Sequence, residues 1–415
     1  MIVRVHAGWL VPIAAPVLRH GWMDVDTARG DIVGVGAAEA PSERQADRLL
    51  DLSEAVILPG LVNAHTHLEL SHLAGQVPPA DSFVAWVRAM LAVRFGTPAA
   101  PAAVIGAARE AIASMEATGT LGVGDIGNTD ASVSPLAASS LWGVHFREAL
   151  GLRPADATRL LEETRLAVRR THHTLCAAGN TRLSPSCAPH APYSTSSDLI
   201  RGLASGYEPA RAVSSIHLAE STEELVFLAT GQGPLRDLAA DRGAWDGTWP
   251  TPGVGPVAYL AQLGVLHHGL LVVHGTQLRR EELRMLASTG ATLVLCARSN
   301  RWVGAGVPSV SEVFASGGAV AIGTDSLASV ADLNLFAELQ ALRDLAPDVP
   351  ARSLLRAATL GGARALGCDA LGVLAPGATS RAVVRVPPPA VTDVEEWLVA
   401  EASDTSDLRW LDDLL

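Results

Sequence analysis

Residues 57–73, which read ILPGLVNAHTHLELSHL, contain an apolar run that ends in two histidines one residue apart. Side chains two residues apart on a β-strand project to the same side of the sheet. His65 and His67 are therefore placed to share one metal ion, provided that the run is a strand that ends there. Whether this pair binds a metal depends on which other side chains the rest of the chain places next to it.

After Gly60 the chain alternates between short apolar runs and longer segments of helical period. Helices are predicted at residues 103–118, 156–173, 281–288 and 350–366. The apolar runs number eight, at residues 57–67, 119–128, 141–150, 183–191, 212–220, 270–276, 291–300 and 319–327. Eight strand–helix alternations predict an α/β fold with a parallel (β/α)₈ TIM-like barrel over residues 58–370.

Two further parts of the chain fall outside this alternation. Residues 1–57 read as short strands with Gly and Asp turns, and residues 371–415 return to strand character. We expect these terminal segments to form a small β-sandwich domain. Residues 229–256 are rich in Gly, Pro and Trp. Long loops of this kind are often functional, so we expect an active-site wall or lid, with a surface excursion as the alternative.

The composition excludes several classes of function. A net charge of −12 argues against a nucleic-acid surface, which needs a basic patch. No apolar run reaches the ~18–20 residues that a membrane span requires, so we expect no membrane partner and a cytoplasmic location. All 31 basic residues are arginine, which excludes lysine Schiff bases and a carbamylated lysine that bridges two metals. The four cysteines are widely spaced and predict neither disulfides nor a zinc knuckle.

The strand ends carry a set of metal-ligating side chains. Active sites of (β/α)₈ barrels lie at the carboxyl ends of the strands. His65 and His67 end the first strand, His217 ends the fifth and Asp325 ends the eighth. Three imidazoles and one carboxylate suit a single Zn²⁺, with Fe²⁺ as the alternative. Such an ion lowers the pKa of a bound water toward ~7.

Proton-transfer groups are predicted at the same rim. Asp325 can act as a base beside the metal, and Glu220, three residues after His217, can protonate the leaving side of a substrate. His274, at the end of the sixth strand, can stabilise a developing oxyanion. Each residue alone has an ordinary structural explanation, such as a helix cap for Asp325. Their joint occurrence at successive strand ends favours catalysis.

Several motifs resemble the metal-dependent amidohydrolase superfamily, in its mononuclear deaminase and chlorohydrolase branch. They are PGLVNAHTHLELS (59–71), HLAES (217–221), VHG (273–275), SN (299–300) and GTDSLAS (323–329). The resemblance covers nearly the whole chain. It implies the same ligands and the same proton-transfer residues as the strand ends do.

Within that branch, HLAESTEELVFLATGQGPL (217–235) and WPTPGVGPVAYLAQLGVL (249–266) are similar to aminodeoxyfutalosine deaminases of the futalosine route to menaquinone. This resemblance implies that hydroxide attacks C6 of an adenine nucleoside and that ammonia is released. His190 would then contact the purine, and Ser299 and Asn300 would line the rim. Glu69 is close enough to the histidine pair to contact the substrate.

The resemblance also implies a cation for the benzoate of the substrate. Arginine binds carboxylates with two parallel hydrogen bonds. The candidates are Arg147, Arg88, Arg298 and Arg301. The sequence does not choose between them.

Other functions remain open at this stage. Ala297 stands where many relatives carry proline, and Val330 stands where asparagine is expected, which leaves the substrate open. The alternatives are hydrolysis of another amino-heterocycle, a cyclic amide or a chloro-triazine, and a non-catalytic metal-binding scaffold. The expected partner is a small-molecule substrate, and the sequence does not distinguish a monomer from a homodimer.

Overall fold

The computed structural model describes residues 1–40, 44–96, 98–204, 206 and 213–415. Within these residues the strands form three sheets. The strands are β1 (Ile2–Leu10), β2 (Leu18–Arg19), β3 (Trp22–Asp26), β4 (Asp31–Gly36), β5 (Arg48–Pro59), β6 (Leu61–Thr66), β7 (Thr120–Gly127), β8 (Trp142–Ala149), β9 (Leu183–Pro189), β10 (Ser214–Leu218), β11 (Leu270–His274), β12 (Thr292–Leu295), β13 (Ala319–Ile322), β14 (Ala382–Arg385) and β15 (Arg409–Trp410).

The helices follow the strands along the chain. They are α1 (Phe83–Gly96), α2 (Pro101–Ala117), α3 (Val133–Ala138), α4 (Ala157–Ala177), α5 (Ser197–Ala204), α6 (Thr222–Thr230), α7 (Pro234–Asp241), α8 (Pro256–Leu263), α9 (Arg280–Thr289), α10 (Ala297–Trp302), α11 (Val310–Ala315), α12 (Leu335–Leu345), α13 (Ala351–Arg356), α14 (Gly362–Ala365) and α15 (Val394–Ala400). A π-helical turn, Ala357–Gly361, joins α13 to α14, and short 3₁₀ helices occupy Leu68–Leu73, Pro154–Asp156 and Leu411–Asp413.

Two of the sheets are parallel and contain four strands each, in the orders β6-β7-β8-β9 and β10-β11-β12-β13. β6 and β7 are buried along their whole length, which is typical of parallel strands that are covered on both faces. Backbone hydrogen bonds join the two sheets at both edges. The His217 amide donates to the His190 carbonyl oxygen at 2.9 Å, and the amides of Thr324 and Asp325 both donate to the His65 carbonyl oxygen at 3.1 Å.

A glycine makes the second of these junctions possible. A Cβ built on Gly323 would lie 2.8 Å from both the Cβ and the carbonyl oxygen of His65. Real Cβ atoms do not approach so closely, so only glycine lets the end of β13 lie against β6 here. The contact places Asp325 beside the two histidines of β6.

The third sheet contains seven strands from both terminal segments. Its order is β15-β14-β5-β1-β3-β4, with β2 paired to β1. β14 pairs antiparallel with the end of β5, and only Gly60 separates β5 from β6. The pairing joins all seven strands into one continuous sheet, and the expectation of a small β-sandwich domain stays a prediction. Side chains from both ends of this sheet, including Ile32 and Val384, share one apolar cluster.

Local sequence signals explain where several helices begin and end. The Ser221 hydroxyl accepts the Glu224 amide proton at 3.3 Å and caps α6, and Asn334 caps α12 in the same way at 2.9 Å. Prolines occupy the first turns of α2, α7 and α8, where a missing amide proton costs nothing. Glycines with positive φ end α6, α8 and α9.

The predicted helices and runs agree with these elements to within a few residues, with three exceptions; one is the run 319–327, which is a strand only to Ile322. The run 57–67 contains the end of β5, Gly60 and the whole of β6. The run 291–300 is a strand only to Leu295, and α10 begins at Ala297. Ala212, the first residue of the fifth run, lies outside the described residues. None of the described helices combines the length and the apolar character that crossing a bilayer demands.

Candidate active site

Three histidines from two strands lie together at the carboxyl ends of β6 and β10. The ring centroids of His65 and His67 are 4.9 Å apart, and those of His65 and His217 are also 4.9 Å apart. One ring nitrogen from each of the three lies within 4.8 Å of the others. The predicted metal ligands from the first and fifth parallel strands are therefore close neighbours.

Asp325, in the segment that follows β13, lies beside the three histidines. Its Oδ1 atom lies 3.6 Å from Nε2 of His67 and 3.9 Å from Nε2 of His65. Asp325 has a φ of 62°, in the left-handed region that non-glycine residues rarely adopt. Such strain is found where surrounding structure holds a side chain in one required position.

The donor set fits a divalent metal ion. Both ring nitrogens of His65 are buried and have no hydrogen-bond partner, which is costly unless another group binds them. Burial lowers the pKa of His65 well below its usual value and that of His217 to about 3, so both rings are neutral and able to bind a cation. Three imidazoles and one carboxylate are a typical Zn²⁺ environment.

Neighbouring groups orient these side chains. Nδ1–H of His217 donates to the His190 carbonyl oxygen at 2.8 Å, which leaves Nε2 of His217 free for a metal. The Ser299 hydroxyl donates to Oδ2 of Asp325 at 2.5 Å, and the Ser329 hydroxyl donates to the same oxygen at 3.0 Å. Hydrogen bonds of this kind fix the orientation of metal ligands.

Glu220 and His274 lie on the other side of the histidine cluster. Oε1 of Glu220 is 3.6 Å from Nε2 of His274. Burial, together with the charge of Asp325, raises the pKa of Glu220 well above its usual value, which favours the protonated form of this carboxyl group. Nδ1–H of His274 donates to Oδ1 of Asn300 at 3.3 Å, which directs Nε2 toward Glu220. The pair can exchange a proton with a bound molecule.

The backbone turns sharply at these two residues. Ala219, directly before Glu220, has a φ of 51°, and His274 has a φ of 73°. The turn at Ala219 ends β10 and carries Glu220 to the same side as His217. The sequence predicted that the strand ends before Glu220, so that Glu220 and His217 can face the same site. In the structure Ala219, in the left-handed region, makes this turn.

A cavity of about 530 Å³ opens from this cluster. Its wall is mainly apolar and is built by α1, α7, the segment after β8 and the segment after β9. The lining residues include Leu70, Phe83, Trp86, Val87, Met90, Leu91, Phe95, Leu150, Leu152, Tyr193, Leu235, Leu238 and Ala239. Residues 229–256, for which a wall was one expectation, contribute α7 to this lining.

The residues predicted to contact substrate have different surroundings. His190 lines the cavity, and its Nδ1 atom is 2.6 Å from the Ser194 hydroxyl. Burial lowers the pKa of His190 to about 3, so its ring is neutral. Ser299 and Asn300 do not line the cavity; they hold Asp325 and His274 from behind. Their predicted position on the rim is therefore replaced by a positioning role.

Glu69 and Arg147 are placed outside the cavity lining. Oε1 of Glu69 accepts a hydrogen bond from Arg94 at 2.8 Å, and Oε2 accepts the amide and hydroxyl protons of Thr129 at 2.9 and 2.6 Å. Arg147 donates to Asp130 at 3.2 Å. Glu69 supports α1 through Arg94, and Arg147 is held by Asp130.

Glu148 is a lining residue that the sequence interpretation missed. Its Oε1 atom lies 3.6 Å from Nδ1 of His217, and Oε2 accepts a hydrogen bond from Asn128 at 2.8 Å. Side chains alternate along β8, so Glu148 faces the cavity while Arg147 points to the other face. Glu148 lies two residues after the apolar Phe146, so the alternation of the strand puts both side chains on the same face. This spacing could have identified Glu148 from the sequence.

The remaining candidate arginines also lie outside the cavity lining. Arg298 pairs with Glu338 and Asp332 at 2.9 Å each, and Arg88 pairs with Asp241 at 2.7 Å across α1 and α7. Arg301 is exposed on α10. The cations that do line the cavity are Arg94 and Arg242.

Comparison with known proteins identifies the family. The model of the amidohydrolase family matches residues 56–396, which is most of the chain. The chain belongs to the amidohydrolase family. This confirms the resemblance seen in the motifs around the metal ligands. With deaminases among its relatives, this amidohydrolase is an enzyme that hydrolyses carbon–nitrogen bonds other than peptide bonds.

Two curated relatives and one solved structure are informative. The chain is 34% identical to the 5-methylthioadenosine/S-adenosylhomocysteine deaminase of Nitratidesulfovibrio vulgaris, over 84% of this chain and 76% of the relative. It is 32% identical to the aminodeoxyfutalosine deaminase of Deinococcus radiodurans, over 75% and 74%. A crystal structure of an adenosine deaminase from Xanthomonas campestris with bound zinc is 26% identical, with a TM-score of 0.74 over 96% of this chain and 88% of the other.

Proposed function

We propose that this amidohydrolase deaminates an adenine nucleoside that carries a substituent at its 5′ position, with aminodeoxyfutalosine as the favoured substrate. The observation that carries the proposal is the buried carboxyl group of Glu220, which lies 3.6 Å from His274 at the edge of a buried three-histidine cluster. A ring nitrogen of a purine needs such a proton donor. The two curated relatives act on adenine nucleosides by name, which supports the same assignment.

A divalent metal, which we propose to be a single Zn²⁺ held by His65, His67, His217 and Asp325, would activate water at neutral pH. The other steps belong to side chains of this chain. Glu220 donates its proton to the ring nitrogen next to C6, which makes C6 electrophilic. His274 can take up a proton at Nε2, which faces Glu220 at 3.6 Å, and then stabilise the negative charge that develops on oxygen. Asp325 accepts the proton of the attacking water.

The reaction balances with water as the co-reactant. A carbon–oxygen bond forms at C6, the bond from C6 to the amino nitrogen breaks, and the amino group leaves as ammonia with a proton passed on through Asp325 or Glu220. The products are ammonia and the 6-oxopurine nucleoside. His190, which is neutral and lines the cavity, is placed to contact the purine.

The apolar cavity supports a substrate with an extended apolar substituent. A volume of about 530 Å³ exceeds what one purine base needs, and most of the lining beyond the catalytic residues is hydrocarbon or aromatic. Hydrolysis of another amino-heterocycle, a cyclic amide or a chloro-triazine is the alternative. It would use the same metal group but no 5′ substituent.

The finer architecture belongs to the same proposal. We infer that the two parallel sheets close into one (β/α)₈ barrel, supported by the backbone bonds at both junctions between the sheets. Residues 1–57 and 371–415 would form the accompanying β-domain. The active site would then occupy the carboxyl ends of the barrel strands, where such enzymes carry it.

Ammonia release by zinc-loaded protein tests the function. The panel contains adenosine, methylthioadenosine, aminodeoxyfutalosine, guanine, cytosine and a chloro-triazine, followed by ammonia assay and by the purine absorbance change. We expect turnover of the 5′-substituted adenosines, with the highest kcat/KM for aminodeoxyfutalosine. Turnover confined to non-nucleoside substrates would replace the proposal with the alternative. Absence of ammonia from every amino compound would overturn it.

A further inference from the structure

The cavity has one basic region, formed by three side chains. Arg94 and Arg242 are the cations among its described lining residues. Their Cζ atoms lie 5.5 and 5.3 Å from the centroid of the Phe95 ring, so both guanidinium groups pack near the same aromatic side chain. Phe95 is 53% exposed, and Arg242 is also exposed. The group therefore lies at the mouth of the cavity.

The two arginines differ in how far they are already neutralised. Nη2 of Arg94 donates to the buried carboxylate of Glu69 at 2.8 Å. Arg242 forms no ion pair with any carboxylate of the described residues. Arg242 is the first residue after α7. The preceding residue, Asp241, forms an ion pair with Arg88 of α1 at 2.7 Å. Arg242 is thus a free cation at a place that α1 and α7 hold together.

The acidic lining residues belong to the buried part of the cavity. They are Glu148, Glu220 and Asp325, and all three are buried beside the histidine cluster. The mouth therefore has a positive group with no lining carboxylate near it. Between the two ends the wall is apolar, with Trp86 and Met90 from α1 and Leu238 from α7.

We propose that Arg242, with Phe95 and Arg94 beside it, binds a carboxylate at the far end of an apolar 5′ substituent. This assignment rests on the proposed deamination of an adenine nucleoside at the metal end. A guanidinium binds a carboxylate through two parallel hydrogen bonds. The exposed ring of Phe95 offers a face to an aromatic or aliphatic spacer.

The same arrangement discriminates between two classes of substituent. An amino-acid end would bring an ammonium group to the mouth, where the described lining has cations and no carboxylate to pair with it. Like charges close together oppose binding. A substituent that ends in a carboxylate alone, such as an aryl carboxylate, complements the site better than a zwitterion. A neutral alkyl end would use the apolar wall but not Arg242.

Steady-state kinetics of Arg242→Gln test the assignment with two nucleosides. Aminodeoxyfutalosine carries the carboxylate and methylthioadenosine does not. For aminodeoxyfutalosine we expect kcat/KM to fall by about ten- to a hundredfold, mostly through KM, because a charge-assisted hydrogen bond is lost. For methylthioadenosine we expect a change of no more than about twofold, which also shows that the variant is folded.

Arg236→Gln is the matched control. It removes the same charge from α7 itself, but Arg236 pairs with Asp237 and lies outside the cavity lining. Both kinetic constants of this control are expected to stay near those of the native enzyme. An equal loss on both nucleosides in Arg242→Gln would show a structural effect and overturn the assignment, as would no loss on either. If the native enzyme deaminates methylthioadenosine but discriminates against aminodeoxyfutalosine, the carboxylate-binding role of Arg242 is wrong and the proposed deamination stands. If the native enzyme is inactive on both nucleosides, the proposed deamination is wrong as well.

Discussion

Glu220 combines two properties that rarely occur together in one carboxyl group. It is buried, and among the described residues the basic group that faces it is His274, at 3.6 Å; burial raises the pKa of Glu220 and favours its protonated form. Replacing it with glutamine keeps the shape but removes the transferable proton. We expect Glu220→Gln to retain its metal and to lose at least about 10²-fold in kcat. Metal analysis and ammonia release on the same sample check both parts.

The control for this variant is the next acidic residue. Glu223, in the first turn of α6, is not a lining residue of the cavity. Glu223→Gln makes the same chemical change three residues away, and we expect kcat within about twofold of the native value. If Glu220→Gln were as active as Glu223→Gln, the proton donor would have to be another group.

Ser299 acts through Asp325. Its hydroxyl donates to Oδ2 of Asp325 at 2.5 Å, and Ser329 donates to the same oxygen at 3.0 Å. Removing both donors frees the carboxylate to rotate, so we expect the Ser299→Ala/Ser329→Ala double variant to bind zinc about 10–100-fold more weakly. Competition with a chelator measures this affinity. The single Ser299→Ala variant is expected to lose less, because Ser329 remains. Native zinc affinity in the double variant would contradict the role.

The grouping of the candidate ligands could be predicted from sequence because their positions follow a local rule, whereas the surroundings of several predicted substrate contacts could not. His65, His67, His217 and Asp325 lie at or just after the ends of parallel strands, and strand ends meet at one rim. Whether Asn300 faces the cavity or supports a neighbour depends on how α10 turns after Leu295, which no local pattern reports. Side-chain packing decided that Asn300 holds His274.

The helix α10 carries both positioning residues and is attached to α12 by one ion pair. Nε of Arg298 donates to Oε2 of Glu338 at 2.9 Å, and the Arg298 amide donates to Oε1 at 3.1 Å. Glu338 is fully buried, and burial raises its pKa despite the opposing charge of Arg298. Arg298→Gln leaves this carboxyl group without its cation. We expect a loss of about 3–5 kcal/mol in the free energy of unfolding, measured by urea denaturation.

Two comparisons separate this ion pair from a general effect of lost charge. Arg301→Gln removes an exposed arginine from the same helix, and we expect a change below about 0.5 kcal/mol. The Arg298→Met/Glu338→Leu double variant removes both charges and is expected to recover much of the stability. A destabilisation by Arg298→Gln no larger than that of Arg301→Gln would show that the pair contributes little.

Periodicity predicted the helices to within a few residues but could not separate one strand from the next where both are apolar. The run 57–67 joins two strands of different sheets, and only Gly60 marks the division. A Cβ on Gly60 would lie 2.5 Å from Leu121, so the glycine is there for packing that the sequence pattern does not show. Short apolar runs leave strand ends ambiguous for this reason.

The arrangement of the terminal sheet shows a second limit. β14 pairs with β5, and β1 pairs with β5 on its other edge, although these strands are far apart in sequence. The sequence predicted strands in both terminal segments and predicted that the two segments pair with each other. The strand order depends on long-range pairing, which composition does not encode; the structure pairs all seven strands in one sheet, and the sandwich stays a prediction.

The four candidate metal ligands come from both parallel sheets. His65 and His67 belong to or follow β6, His217 belongs to β10, and Asp325 follows β13. An ion bound by all four connects the two parallel sheets, and a ligand that binds only the folded state stabilises it by RT ln(1 + [L]/Kd). At a hundredfold excess of zinc over Kd this is about 2.7 kcal/mol. We expect chelation to lower the Tm by several degrees, as measured by scanning calorimetry.

His65→Ala provides the comparison for this experiment. It removes the ligand whose two ring nitrogens have no other partner, and we expect its Tm to respond little to zinc or chelator. Restoring zinc to the native protein should restore its Tm, which distinguishes metal loss from damage by the chelator. If native protein and His65→Ala shifted equally on chelation, the stabilising ion would lie elsewhere. If neither shifted, the four side chains would bind no metal strongly enough to contribute to folding, and the orphaned nitrogens of His65 would need another explanation.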